Sequence, residues 1–253
     1  MGSDVADYDL QRYGRTTDAE KSVSMSYAFE KHDWDYVILQ GATHKNIYDN
    51  VLWDDTFTRT DGGVTTTYNS SEMLGDFKEY AEEKAPNATR FFVAPWAPYE
   101  SLSATFNNKT FANAKPDARG AYTAGILEKS KQKAAVYATD GMYLPTAVAI
   151  DYLIRYYGFD ETQGAGVVDS VDSSKIIYDN KSTTTSVYRD STCHLTNSVG
   201  RVLAGLVWYE MITGNSALEN DYSNSLPEDT MNKIKAAAHY ACQNYASYNP
   251  ANI

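Results

Sequence analysis

Apolar residues follow two rhythms along the chain. Short unbroken runs occur at Tyr36-Val37-Ile38-Leu39-Gln40, from Thr89 to Ala94 and from Ala134 to Ala138. Runs of this length, without in–out alternation, predict strands buried on both faces. Between them the spacing turns helical. Residues 19–31 carry good helix formers. Residues 72–84 put Met73, Leu74, Phe77, Tyr80 and Ala81 on one face, with Ser70 or Ser71 as cap and Pro86 as the stop. Residues 118–132 suit a further helix, and Pro145 opens another that runs to about Tyr157. Val199, Val202, Leu203, Leu206 and Val207 form a stripe on a helix over Thr196–Thr213, capped by Thr196 or Asn197 and closed by Gly214. A last helix covers about 228–246. Residues 41–70 read as loop. Residues 158–188, rich in Gly, Ser, Asp and Thr, read as an inserted loop or hairpin with short strands at 175–178 and 185–188.

This alternation predicts an α/β fold: a three-layer α/β/α sandwich with a mainly parallel sheet, a single domain over 1–253. Ligands of such sheets bind beyond the carboxyl ends of the strands. That rule groups Gln40, Trp96 and the segment after Ala138 on one rim. His44, four residues after Gln40, falls on the same rim, either as a substrate contact or as a surface histidine. Trp53, Trp96, Tyr99 and Tyr143 either form a wall on which a sugar stacks or pack in the core.

Composition narrows the function. The 253 residues hold 22 Lys+Arg against 33 Asp+Glu, a net charge of −11, which argues against a nucleic-acid partner. The longest apolar stretch, Val199 to Ile212, is interrupted by Arg201 and Glu210 and is too short for a membrane span. The N-terminus has no apolar signal-peptide core, and Met1-Gly2-Ser3 reads as an expression leader or a trimmed start. The 21 tyrosines, many Ser, Thr and Asn, and Asn-x-Ser/Thr sequons at Asn69, Asn87, Asn108 and Asn180 suggest an exported, sugar-handling protein at a secreted or cell-surface location. The oligomeric state is open. Cys193 and Cys242 either form one disulfide or stay as two buried thiols. Four scattered histidines make no metal-binding pattern, so neither metal nor cofactor is expected; His32 and His239 fall in helical contexts.

One segment carries chemistry: Tyr188-Arg189-Asp190-Ser191-Thr192-Cys193-His194-Leu195, directly before the Thr196–Thr213 helix. A carboxylate a few residues before a histidine can hold one ring nitrogen and leave the other to take a proton from a hydroxyl. The same spacing also suits a turn aspartate beside a partly buried histidine. Cys193 adjoins His194, but sequence neighbours rarely point at each other.

Asp190…His194-Leu195-Thr196…Gly200-Arg201-Val202-Leu203-Ala204-Gly205-Leu206-Val207-Trp208-Tyr209-Glu210…Thr213-Gly214 resembles the last sequence block of SGNH (GDSL-type) hydrolases. It looks most like a secreted bacterial branch described as a domain of unknown function, in which Asp-x-x-His-Leu-Ser leads to a Gly-Arg-Tyr-Leu-Ala helix. Trp34-Asp35-Tyr36-Val37-Ile38-Leu39-Gln40 resembles that branch's Trp-Asp-x-Val-x-Leu-Gln strand. Pro145-Thr146-Ala147-Val148-Ala149-Ile150 resembles its Pro-x-Gly-x-Ala-Ile helix start, and Ala94-Pro95-Trp96-Ala97 matches a Trp-Ala piece more loosely. The resemblance implies hydrolysis of acyl esters, often acetyl groups on sugars, with an acylated carbohydrate or small ester as substrate. It makes His194 the general base, Asp190 its orienting carboxylate and Gln40 an oxyanion-hole donor, with Trp96, His44 and Tyr99 as substrate contacts.

The chain departs from the family in two places. The family's serine sits in a Gly-Asp-Ser or Gly-Asn-Ser turn after the first strand, and no such strand and turn precede Trp34. Gly214-Asn215-Ser216 has the letters but follows a helix, where it reads as a C-cap. The spacing from Asp190 to His194 is four rather than three. The expectation is therefore an esterase-type domain whose first strand and nucleophile are not in this chain, truncation ranking first. The alternative is a non-catalytic glycan-binding or structural relative.

Overall fold

The computed structural model describes residues 9–11, 22–24, 28–29, 32–40, 56–61, 63–97, 105–106, 109–110, 116–159, 166–168, 176–178, 186–188 and 194–253. The strands are β1 (Asp9–Gln11), β2 (Ser22–Ser24), β3 (Tyr36–Gln40), β4 (Thr56–Asp61), β5 (Val64–Asn69), β6 (Thr89–Val93), β7 (Thr105–Phe106), β8 (Lys109–Thr110), β9 (Tyr143–Leu144), β10 (Gly166–Val168) and β11 (Ile176–Tyr178). The α-helices are α1 (Ser70–Lys84), α2 (Pro116–Tyr137), α3 (Thr146–Arg155), α4 (Gly200–Thr213) and α5 (Glu228–Asn244). The main sheet has the order β3-β6-β9. Thr89 N donates to Asp35 O at 2.9 Å, so β3 and β6 start side by side; Phe92 N to Met142 O and Ala94 N to Leu144 O advance together along β6 and β9. Both pairs are thus parallel. The chain has an open α/β fold of the three-layer kind, with helices and a mainly parallel sheet.

Three expectations are corrected. Ala134–Ala138 is not a strand: Ala134 to Tyr137 are the end of α2, and Ala138 leaves the helix in an extended conformation. Buried positions Thr123, Ile126, Leu127, Ser130, Lys133, Ala134 and Tyr137 follow one helical stripe, and alanine is the strongest helix former. The third strand is the two-residue β9. Residues 41–70 are not all loop, because β4 and β5 pair antiparallel with Asp61 opposite Val64. Asp-Gly-Gly between Thr-rich runs is a hairpin signal, and Gly63 takes φ +85°, where a side chain would be strained. Ser22–Ser24, placed in the expected helix 19–31, is β2 and pairs antiparallel with β1. Two strands therefore do precede Trp34, though they form their own sheet. Within 158–188, β10 and β11 also pair antiparallel.

The described residues gather into two compact units: those of Met1–Leu39, Asn50–Phe92 and Lys131–Tyr143, and those of Gln40–Asp49, Val93–Ser130 and Leu144–Ile253. In the first, α1 is capped by Asn69, whose Oδ1 accepts from Ser71 N at 2.9 Å and Glu72 N at 3.3 Å. The capping residue is thus one before the expected serines. Leu74 and Ala81 are buried, and Phe29, Ala85 and Ala88 join Val37, Phe77 and Tyr80 in its core. Arg90 is also buried; it reaches Glu82 at 2.7 Å and donates Nε–H to Tyr137 O at 3.1 Å.

The second unit is built around α3, buried along its length from Thr146 to Ile154 and packed against α4 and α5. An apolar surface all round is what a central helix needs. Its one carboxylate, Asp151, must then be satisfied internally. It accepts from Tyr248 Oη at 2.5 Å, Thr123 Oγ1 at 3.2 Å and Arg155 Nη1 at 3.2 Å. A stack of tyrosine rings lies alongside: Tyr152 faces Tyr240 at 3.8 Å and Tyr156 at 4.6 Å, both nearly parallel.

Candidate functional site

The segment entering α4 is held by several backbone and side-chain hydrogen bonds. Tyr188 and Leu195 make an isolated antiparallel bridge. Thr196 then acts as a hub. Its N–H donates to Val187 O at 2.9 Å, and its hydroxyl lies 2.7 Å from Ser186 O and 3.2 Å from Val187 O. The same oxygen accepts from Val199 N at 3.3 Å and Gly200 N at 3.1 Å, which closes the turn leading into α4; the helix itself begins at Gly200 rather than at Thr196, with Val199 at its cap position and no side-chain cap. One O–H donor and two lone pairs are thereby all used. Gly200 permits the approach: a Cβ there would meet Val187 O at 2.6 Å and Leu195 Cβ at 2.8 Å. The sequence words His-Leu-Thr and Gly-Arg thus have a mechanical basis. They lock an extended segment onto the first turn of α4, with Leu195 buried inward and His194 exposed.

The same segment is tied to the loop after β6. Tyr188 Oη donates to Ala97 O at 2.6 Å, one residue from half-buried Trp96. Gln40 is exposed at the last position of β3. Gln40, Trp96 and His194 all belong to the second unit. Parallel pairing puts the ends of β3, β6 and β9 on one sheet edge, so the rim passes through Leu144 and Pro145, not Ala138. Asp190, His44, Tyr99, Cys193 and Trp53 lie outside the described residues. Tyr143 is buried in β9 and packs as core. Cys242 is a free, buried thiol rather than half of a disulfide, and burial with the nearby Glu210 pushes it up to about 12.

Two features escaped the sequence reading. His239 is not idle: its Nδ1 lies 2.9 Å from Glu210 Oε1 and 3.3 Å from Ser216 Oγ. Glu210 also accepts from Ala217 N at 2.7 Å and Gln243 Nε2 at 3.0 Å. Serine and carboxylate both face the same ring nitrogen, whereas a proton relay needs one on each. Gly214 takes φ +74° and Ser216 caps the turn Ala217–Glu219, so Gly214-Asn215-Ser216 is a helix terminus. The second feature is a cavity of about 420 Å³ on the outer face of α4. Arg201, Gly205 and Tyr209 line it at intervals of four, with Val202 and Leu206 beside them and Asn197, Asn220 and Tyr222 around them. A glycine inside a helix, in line with an arginine and a tyrosine, was its only trace in the sequence. Among the described residues no group of His, Cys, Asp and Glu is arranged to hold a metal ion. None of their helices is long and apolar enough to cross a membrane.

The fold and this rim define an α/β protein with its candidate chemistry on loops beyond parallel strands. A crystal structure of a DUF4886 family protein from Bacteroides uniformis ATCC 8492 has a similar fold, with a TM-score of 0.57 and 18% identity over 88% of this chain and 68% of that one. No protein-family model and no curated protein matches the chain.

Proposed function

We propose that the chain is an SGNH-type ester hydrolase domain acting on acylated carbohydrate, as a carbohydrate O-acetyl esterase, at a secreted or cell-surface location. His194 is the general base, Asp190 its orienting carboxylate and Gln40 an oxyanion donor, while Trp96, His44 and Tyr99 contact substrate. The serine nucleophile is not among the 253 residues. The observation that supports this most is the hub at Thr196 and Gly200. It fixes with buried hydrogen bonds and a close backbone approach the segment that ends in the exposed His194, while Tyr188, bridged to Leu195, reaches Ala97 in the loop after β6. A neutral imidazole so placed can take the proton of an attacking hydroxyl and return it to the leaving alcohol.

A non-catalytic glycan-binding or structural relative is the second reading, favoured by the sequence that follows β1 and β2, which holds no Gly-Asp-Ser or Gly-Asn-Ser before Trp34. The gene and one assay separate the two. On the first, the reading frame upstream of Met1 encodes an apolar strand followed by Gly-[Asp/Asn]-Ser. The extended protein then hydrolyses 4-nitrophenyl acetate, and His194→Ala lowers kcat by about 10²–10⁴-fold. An in-frame stop with no such motif, and no hydrolysis, overturns the esterase.

A further inference from the structure

We propose that the cavity on α4 is a binding site for a carboxylate-bearing sugar, distinct in its residues from the rim of His194. Three observations carry it. First, Gly205 has no packing reason to be glycine. Nothing lies within 4 Å of where its Cβ would stand, and glycine inside a helix is poorly tolerated relative to alanine. What its missing side chain leaves open is the cavity. Second, Arg201, one turn before it, is exposed and has no ion-pair partner among the described residues. An unpaired guanidinium is a local attraction for an anion, acting against the protein's net charge of −11. Third, the remaining walls are two tyrosines, Tyr209 and Tyr222, and two amides, Asn197 and Asn220, over a floor that includes Val202 and Leu206.

Each element selects one property of the ligand. A guanidinium fork matches one carboxylate through two parallel N–H···O bonds. A single positive charge balances a monoanion and leaves a phosphate dianion half compensated. Tyrosine rings and an aliphatic floor fit the C–H faces of a pyranose, and amides pair with its hydroxyls. A uronic acid residue of a polysaccharide has all of these features. Binding here needs no turnover, so it stands or falls apart from ester hydrolysis.

The test is calorimetric titration of the 253-residue protein with methyl glucuronide, methyl glucoside and glucose 6-phosphate. Saturable binding of the glucuronide is expected, with the neutral glucoside weaker by about tenfold or more. Arg201→Gln should weaken the glucuronide by a similar factor. Gly205→Leu, which fills the cavity and favours the helix, should abolish binding without lowering the thermal midpoint. Absence of glucuronide binding overturns the proposal, as does equal affinity in either variant. Tighter binding of the glucose phosphate overturns the assignment of a carboxylate.

Discussion

At the scale of single residues, the polar side chains that matter are those the backbone cannot do without. Thr196 satisfies two buried carbonyls and two helix-start amides at once, and Gly200 is the one residue whose lack of a side chain lets that happen. Gly200→Ala is expected to lower stability by about 1–3 kcal/mol, because the methyl group would meet backbone and not a flexible side chain. Chemical denaturation measures it, and an unchanged midpoint would show that the contact gives way freely. Thr196 stood out in the sequence as a cap candidate, though α4 begins four residues later, at Gly200. The need for Gly200 was not, because the obstructing atoms, Val187 O and Leu195 Cβ, come from a segment folded back against it. His239 was missed for the same reason: its partner Glu210 lies 29 residues away on α4.

At the scale of elements, local chemistry and tertiary contact share control. α1 begins where Asn69 can cap it, and its burial follows the 3.6-residue spacing of Leu74, Phe77 and Ala81. Asn69→Ala should cost about 1 kcal/mol, a drop in thermal midpoint of about 2–4 °C for a domain of this size. The cost arises because Ser71 N and Glu72 N lose their acceptor; calorimetry of the variant reads it directly. The Ala134–Ala138 stretch shows how a short run misleads. Five small or apolar residues are as consistent with a buried strand as with a helix end, and only the longer stripe from Thr123 to Tyr137 distinguishes them. β9, two residues long, carries too little pattern to be read and becomes a strand because β6 pairs with it.

At the scale of the whole molecule, the tyrosine excess has a structural destination. Tyr152, Tyr156, Tyr157, Tyr240 and Tyr248 pack ring against ring in the second unit, and Tyr137 is buried in the first. Burial pushes several of these phenols up, Tyr152 to about 12, with Tyr137, Tyr157 and Tyr248 also raised, the last by Asp151 as well. Each group whose folded value lies above its unfolded one favours folding while protonated. Their contribution is fully present below the ordinary values of 9.0 for the thiol of Cys242 and 10.0 for the phenols, and is lost as pH rises towards about 12. Stability measured by urea denaturation should therefore fall steadily on the alkaline side. A profile flat through that window would mean that these groups ionise in the fold as easily as outside it.

The sequence by itself determined the α/β rhythm, the helices α1, α3, α4 and α5, and the strands β3 and β6, because each rests on periodicity or on neighbours in the chain. The tertiary structure decided the rest. It turned Ala134 to Tyr137 into helix, placed the third strand at Tyr143–Leu144, joined Glu210 to His239 and opened the cavity over Gly205. All of these depend on which distant surfaces meet, and a buried polar group or an empty space is defined by its neighbours in space rather than in the chain.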